Sequence, residues 1–257
     1  MSVVVYAEWV ASPESDTKFK VELHKEGFSG TARKIDATGG YIDHNYQSLN
    51  PREPFRTPIL KSDLTLEWMI RSDDDVDILE DVFNSNVGVY KLVKYVNDAV
   101  DWTANVAVDQ LTYRRSPYPF SANVVARDMD DLDGVDYGLL VGRGRIIKVI
   151  ADILYWLGYD LDIRTYTRWK EGAMTDEQDF LNERYIEKSV LRTYGRGGEP
   201  DESISKYEAL EMICRSFGLF LIQSENHWNI FQLTALENAD DILEFIYTPD
   251  GTQIIVS

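Results

Sequence analysis

The sequence predicts an α+β fold, mainly β, in which a strand-rich first part carrying one packed helix is followed by a smaller α/β module. Two observations predict it. Apolar residues recur at every second position through most of residues 3–127, the period of a half-buried strand, and from Gly142 onward the period changes to that of a helix. At 257 residues with 44% hydrophobic content, the chain has material for one large domain or two small ones. The change of period places a boundary near residue 138. The segments are then 1–138, 139–236 and 237–257, the last read as the start of a further β segment.

The first strand is Val3–Val10, and the second holds the alternating Phe19-Lys20-Val21-Glu22-Leu23. Further strands are expected at Ala32–Asp36, Tyr41–Gln47, Ser62–Ile70 and Val89–Val96. In Ser62–Ile70, Leu64, Leu66 and Trp68 alternate with Thr65, Glu67 and Met69. The one helix of this part is expected over Asp75–Asn84. Its start is marked by Asp73-Asp74-Asp75, which favour a helix dipole, and its core side by Val76, Leu79, Val82 and Phe83. Tyr90–Val96 and Val100–Val108 flank Asn97-Asp98-Ala99, a connection of hairpin length. A last strand, Phe120–Arg127, follows Ser116-Pro117-Tyr118-Pro119.

After Gly142, the residues Ile146, Ile147, Val149, Ile150, Ile153, Leu154 and Leu157 form a wide apolar helix face, which Gly158 terminates. The stretch Arg164–Pro200 is polar and glycine-bearing, so it is expected to be exposed apart from a short strand at Tyr185–Leu191. Its most open part is expected at Arg192–Ser203. A second helix covers Lys206–Phe217, with Tyr207, Leu210, Ile213, Cys214 and Phe217 at helical spacing and Gly218 after them. The hairpin Leu219–Gln223 and Trp228–Leu233 turns through Ser224-Glu225-Asn226-His227. A short segment at Leu243–Tyr247, a turn at Pro249-Asp250-Gly251 and a strand Ile254-Ile255-Val256 follow. That strand is cut at the last residue, from which a longer natural chain is expected. No internal repeat is present in the sequence.

Charge narrows the function classes. Lys and Arg number 26 against 44 Asp and Glu, a formal charge of −18, and such a surface repels phosphate backbones, which disfavours sequence-specific nucleic-acid binding. No segment approaches the roughly 20 apolar residues needed to span a bilayer, so no membrane insertion is expected. The first residues carry neither a basic stretch nor a cleavage site after an apolar run, so residence in a cytoplasm is expected. The single cysteine, Cys214, excludes an intrachain disulfide and falls on the apolar face of the second helix, where packing is its role.

The acidic run Arg127-Asp128-Met129-Asp130-Asp131-Leu132-Asp133-Gly134 has the carboxylate density of a calcium loop but the wrong register. Met129 and Leu140 stand where acids are required, and a solvated acidic turn is the reading. Gly142-Arg143-Gly144 opens like a dinucleotide fingerprint, yet Ile147 takes the third glycine's place. His24, His44 and His227 lie on separate segments, without a second ligand at helical zinc spacing, and read as surface or hairpin residues. No nucleophile elbow, phosphate loop or Cys–His dyad occurs. The tryptophans Trp9, Trp68, Trp102, Trp156, Trp169 and Trp228 could line a sugar platform, but most stand at core-like positions. No catalytic residue, cofactor or metal is assigned, and the chain is read as a non-enzyme.

Three stretches, in this order, carry a resemblance. They are Pro58–Glu67 with the helix after it; Tyr90-Lys91-Leu92-Val93-Lys94-Tyr95 with Trp102-Thr103-Ala104-Asn105-Val106, leading through Tyr118-Pro119-Phe120 to Asn123–Asp128; and Lys206–Ile213 through Phe217-Gly218-Leu219 to Asn226–Ile230. Together they resemble the tail hub, or baseplate hub, proteins of long-tailed bacteriophages. Ala104-Asn105 departs from the glycine-containing turn of that pattern. The resemblance implies a tail-tube-like β-barrel with one packed helix, then an α/β module. It also implies a structural virion protein at the tail tip, assembled in the host cytoplasm and self-associating as a homotrimer. Such a ring continues the tube's channel, through which DNA passes. It meets a tube-side ring protein on one side and a distal spike or fibre on the other. The −18 charge then suggests carboxylates on the channel wall that keep DNA from adhering. The competing readings are a carbohydrate- or receptor-binding β module of a virion and, more distantly, a glycoside hydrolase, since two facing carboxylates leave no local signal.

Overall fold

The computed structural model describes residues 1–11, 16–46, 57–110, 112–113, 116–138, 142–168, 174–191, 204–232 and 242–254. In chain order the strands of the first part are β1 (Ser2–Val10), β2 (Lys18–Lys25), β3 (Arg33–Lys34), β4 (Ala37–Tyr46), β5 (Ile59–Leu60) and β6 (Ser62–Ile70). Helix α1 (Asp73–Phe83) precedes β7 (Tyr90–Val96), β8 (Ala99–Val106), β9 (Thr112–Tyr113) and β10 (Phe120–Arg127). Then come β11 (Arg143–Arg145), α2 (Ile146–Tyr155), β12 (Asp162–Thr167), the one-turn α3 (Phe180–Glu183), β13 (Tyr185–Glu187) and α4 (Lys206–Ser216). The hairpin β14 (Leu219–Ser224) and β15 (His227–Gln232) is followed by β16 (Leu243–Tyr247) and β17 (Gln253–Ile254). The fold is α+β and mainly β.

Two compact units result. Unit 1 is residues 1–46 with 62–128, and unit 2 is residues 47–61 with 129–257. The boundary expected near residue 138 therefore stands at 128/129, and residues 47–61 leave the strand-rich part to join unit 2. The reason is β5, which adds parallel to β14 through Leu221↔Ile59 and Ile222↔Leu60. Two residues carry too little periodicity to be seen in a sequence.

The sheet of unit 1 runs β3-β1-β2-β7-β8-β10-β6-β4, with β9 on β10. The ladder is dense in two halves and thin between them: β10 pairs β6 over eight residues but meets β8 only at Ala126↔Val106 and Arg127↔Asn105. Alternation turns Val21, Leu23, Leu92, Trp102 and Ala104 of one half, and Leu64, Leu66, Trp68, Val124 and Ala126 of the other, into the buried core. Large and small residues are matched across strands, as at Trp68↔Ala122. The Val100–Val108 strand is shorter than expected at its far end, where Val108–Gln110 forms a 3-10 turn. Its hairpin turn is tighter: Asn97 and Asp98, at φ 50° and 66°, make a two-residue connection, and Ala99 already pairs with Val96.

The ladder does not close as a continuous barrel. Its two ends, β3 and β4, are separated along the chain by Ile35 and Asp36 alone. The Ile35 amide donates to Tyr6 of β1 (2.8 Å), and the Asp36 carbonyl accepts from Met69 of β6 (3.1 Å). One stretch of chain thus touches both ends of the sheet.

Helix α1 begins in a capping box. The Ser72 hydroxyl accepts from the Asp75 amide, and the Asp75 carboxylate accepts from the Ser72 amide at 3.1 Å. Val76, Leu79 and Val82 are buried, whereas Phe83, expected on the same side, is 50% exposed at the last turn of the helix. The helix lies at the end of the sheet where β2 stops and β7 starts, because Asp81 accepts from Lys25 (2.5 Å) and from the Tyr90 hydroxyl (2.5 Å). Arg33, at the start of β3, pairs with the buried Asp75 at 3.1 Å.

Unit 2 holds a sheet in the order β17-β16-β12-β15-β14-β5 and a two-stranded ribbon, β11–β13. Helix α2 is buried on nearly every side, at Ile146, Ile147, Val149, Ile150, Ala151, Ile153 and Leu154, because α3, α4 and β11 all pack on it. One expectation is corrected here. Residues 164–167, at the start of the stretch read as exposed, belong to β12, near the middle of the sheet. This strand is parallel to β15 and antiparallel to β16. Its inward residues include Thr165 and Thr167, polar side chains that hide its burial from a hydropathy reading. After residue 236 come β16 and β17, and β16 joins this sheet alongside β12. Arg192–Ser203 and residues 255–256, on which two expectations fall, lie outside the described residues.

Leu79 is 1% exposed. Leu79→Ala is expected to cost about 2–5 kcal/mol in urea unfolding of the chain, through lost contacts and the cavity left behind. Phe83→Ser, on the exposed end of the same helix, should change stability by well under that. Equal effects of the two substitutions would mean that α1 is not a core element.

Candidate functional site

The end of unit 1 opposite α1 is polar. Here the inward face of the sheet carries His44 and Tyr46 from β4, Ser62 from β6, Lys94 from β7, and Asp101 and Trp102 from β8. The strands converge because β4 pairs β6 and β7 pairs β8, and the bulge between Lys94 and Tyr95 turns Asp101 beside Lys94. Lys94 Nζ donates to Asp101 Oδ2 (2.8 Å) and to His44 Nδ1 (3.1 Å). The His44 ring stands 5.1 Å from that of Trp102 and 4.8 Å from that of Tyr46.

Behind this layer lies a buried knot. Asp128, fully inaccessible, accepts from the Ser62 amide (3.0 Å) and hydroxyl (2.7 Å). That hydroxyl oxygen accepts in turn from Trp102 Nε1 at 2.7 Å.

The electrostatics follow from burial. Desolvation, with the Lys94 charge beside it, lowers the His44 pKa to about 4, so the imidazole is neutral at neutral pH. Burial, then the Asp101 and Asp128 charges, raises Tyr46 to about 12. With Nδ1 taken by Lys94, the neutral ring keeps its proton on Nε2, a buried atom without a hydrogen-bond partner. No lone pair is left to accept a substrate proton. Chemically the cluster links β4 of one sheet half to β7 and β8 of the other.

Two further acids are held in the same manner. Glu22 on β2 is pushed up by burial, but hydrogen bonds from Lys20, Tyr95 and His24, each at 2.8 Å, outweigh this and hold its pKa below the usual value. In unit 2, Asp179 is 1% exposed and caps α3 through the Leu181 amide (3.0 Å). It also accepts from the hydroxyls of Thr165 (2.7 Å), Thr167 (3.2 Å) and Tyr247 (2.6 Å). Burial raises its pKa despite these four donors, which join β12, β16 and α3.

The residues singled out in the sequence do not converge on one site. Met129, which breaks the calcium register, is a core residue, and Lys61 takes up Asp133 (2.6 Å) and Asp130 (3.5 Å). The run is thus an ion-paired corner and not the freely solvated turn expected. His24 binds Glu22, and His227 donates to its own hairpin at the Glu225 carbonyl (2.5 Å). His44, read as a surface or hairpin residue, is the one placed inward. Trp68, Trp102 and Trp228 are buried, Trp156 is 58% exposed, and Trp169 lies outside the described residues. What a sequence reading misses is Lys94: its inward register follows Leu92 by two residues, the one signal available.

A groove of about 390 Å³ lies at the β1–β2 strand ends of unit 1, among Glu8, Trp9, Lys18, Phe19, Lys34 and Asp98. Trp9 and Phe19 are cross-strand partners with stacked rings, 5.6 Å apart. Its volume falls in the range of small-ligand sites.

No family model and no curated protein matches the chain. Among solved structures it is similar to the 43 kDa tail protein of prophage MuSo2 from Shewanella oneidensis, with a TM-score of 0.37 and 15% identity over 76% of this chain and 53% of that one. It is also similar to the tail protein from Neisseria meningitidis MC58, with a TM-score of 0.42 and 11% identity over 82% of this chain and 50% of that one. The chain spans about half the length of each. Likeness at this level assigns neither a fold family nor a function.

His44 predicts a pH dependence. Its folded pKa lies below the ordinary histidine value of 6.5, so the unfolded chain binds the extra proton. This contribution to stability is full above pH 6.5 and is lost as the pH falls towards 4. Between pH 7 and 4.5, the wild type should lose about 1–2 kcal/mol more stability than His44→Gln, a figure discounted for the half-buried ring. Parallel losses in urea unfolding at the two pH values would show that His44 does not titrate as described.

Proposed function

We propose that the chain is a non-enzymatic structural subunit of a bacteriophage tail, a homotrimer-forming member of the ring-shaped hub at the distal end. The observation that carries this reading is the segment of residues 33–46, which bonds to β1 through its first residues and to β6 through the rest. In this reading unit 1 corresponds to a tail-tube-like barrel whose ladder stays open and is sparse where β8 meets β10. On one side of the segment, Ala7–Val10 of β1 has no further partner among the described strand pairs. On the other, β4 pairs with β6 and with no other strand among the described residues. Edges of this type are suited to strand alignment between subunits. The stretches that carry the sequence resemblance coincide with β6 and α1, with β7, β8 and β10, and with α4, β14 and β15.

The inward face of the unit 1 sheet is filled by Trp68, Trp102 and the leucines around them. The channel therefore belongs to the ring, between copies, and not to the interior of one chain. In this reading the tube-side ring protein and the distal spike or fibre are its neighbours, and the −18 charge keeps passing DNA from adhering.

One observation favours a competing reading, a glycan-binding module: the groove beside Trp9 and Phe19. Heteronuclear NMR of the chain titrated with soluble oligosaccharides distinguishes the two. Saturable shifts at Trp9, abolished by Trp9→Ala, would favour the glycan reading. Their absence is expected for the hub. The hub reading itself predicts that purified chain sediments as a trimer or larger ring at micromolar concentration. A monomer at every concentration would sink it.

A further inference from the structure

The ribbon β11–β13 of unit 2 has two unlike faces. Gly144 and Ile186 form the inner one: Ile186 is buried, and a side chain at Gly144 would meet Val149 Cγ2 of α2 at 2.8 Å. Alternation puts Arg143, Arg145, Tyr185 and Glu187 on the outer face, paired Arg143↔Glu187 and Arg145↔Tyr185. The Arg143 side chain is 77% exposed and Tyr185 58%. Neighbours hold these groups in order: Arg143 Nε donates to Glu187 (3.3 Å), Arg145 Nε to the Tyr185 hydroxyl (3.4 Å), and Arg145 Nη1 to Asn182 Oδ1 (3.1 Å). Arg and Tyr are the side chains that most often carry binding energy at interfaces, and ordering them beforehand lowers the entropic cost of association. In a chain of charge −18, the ribbon's own outer face sets two guanidinium groups against the single carboxylate of Glu187, with Glu183 of α3 near Arg145.

We infer that the outer face of this ribbon docks a second copy of the chain, receiving the exposed acidic face of that copy's α1. The inference rests on the self-associating reading above and names the contact that would join the subunits. On α1, Asp73, Asp74 and Asp77 are exposed, and Phe83 at its other end is half exposed. Helix residues three or four apart rise by about 4.5–6 Å, and alternate strand residues by about 6.6 Å, so both arginines reach carboxylates at once along a single line. Guanidinium–carboxylate pairs are the strong, directional class of charged hydrogen bond. Because the two patches differ, the contact is head-to-tail, the type that propagates around a ring and not the type that closes a two-fold dimer.

Sedimentation velocity of the full chain across a concentration series, in low and in high salt, tests the contact. Arg143→Glu with Arg145→Glu should weaken assembly about tenfold or more, as should Asp74→Lys with Asp77→Lys. All four substitutions in one chain should restore it. Circular dichroism and the melting midpoint of each variant establish that the fold is intact, and the solvent exposure of all four residues makes that the expected result. Reversal variants that assemble like the wild type, or a four-fold variant no better than either pair, would overturn this contact while leaving a wild-type ring in place. A wild type that stays monomeric removes both the contact and the ring.

Discussion

The structure of unit 1 depends on a small buried hydrogen-bonded knot: Asp128 accepting from Ser62, and Ser62 accepting from Trp102. The sheet is two well-paired halves whose strand ladder meets at two residue pairs of β8 and β10, with the Ala107 amide donating to the Val125 carbonyl (2.9 Å) just beyond them. Backbone pairing alone leaves that seam weak. The knot lies beside it and ties the start of β6, the middle of β8 and the end of β10 through side chains that no water reaches. A carboxylate without accessible surface is tolerated only when its hydrogen bonds are made, so the group that fastens the seam also fixes its geometry. The Lys94–Asp101–His44 layer extends the same fastening towards solvent and brings β4 and β7 face to face.

Unit 2 solves a similar problem with Asp179. Its sheet mixes parallel and antiparallel neighbours around β12, and the inward face of that strand bears threonines where leucines would ordinarily pack. Four donors converging on one carboxylate turn this polar patch into a satisfied core, and α3 is capped by the same group.

Much of this was legible in the sequence where one period dominates. Ser62–Ile70 alternates without a break and is a strand with five buried residues on one face, and the Asp-rich start of α1 is a helix start with a capping box. The misses share a physical cause, namely information that resides in distant partners. Strand β12 reads as polar until Asp179 is placed against it. Strand β5 is two residues long and is defined only by β14. His44 carries no local mark of being turned inward beside Lys94, since nothing in residues 41–47 reveals which strand faces them. Of the candidate chemistry, the rejection of a calcium loop on the position of Met129 gains a structural reason, because that residue is in the core. The burial of Asp128 next to it was not visible.

The path of the chain between the units has a consequence for heredity. Because β5 is drawn from residues 59–60, inside the sequence of unit 1, a genetic crossover placed after residue 128 transfers unit 2 without one edge of its sheet. It leaves behind a unit 1 that still carries a strand fitted to the lost partner. Exchange between related genes is then productive only when the breakpoints also span residues 47–61 or lie outside both units. Keeping both sheets whole therefore requires the two units to move together.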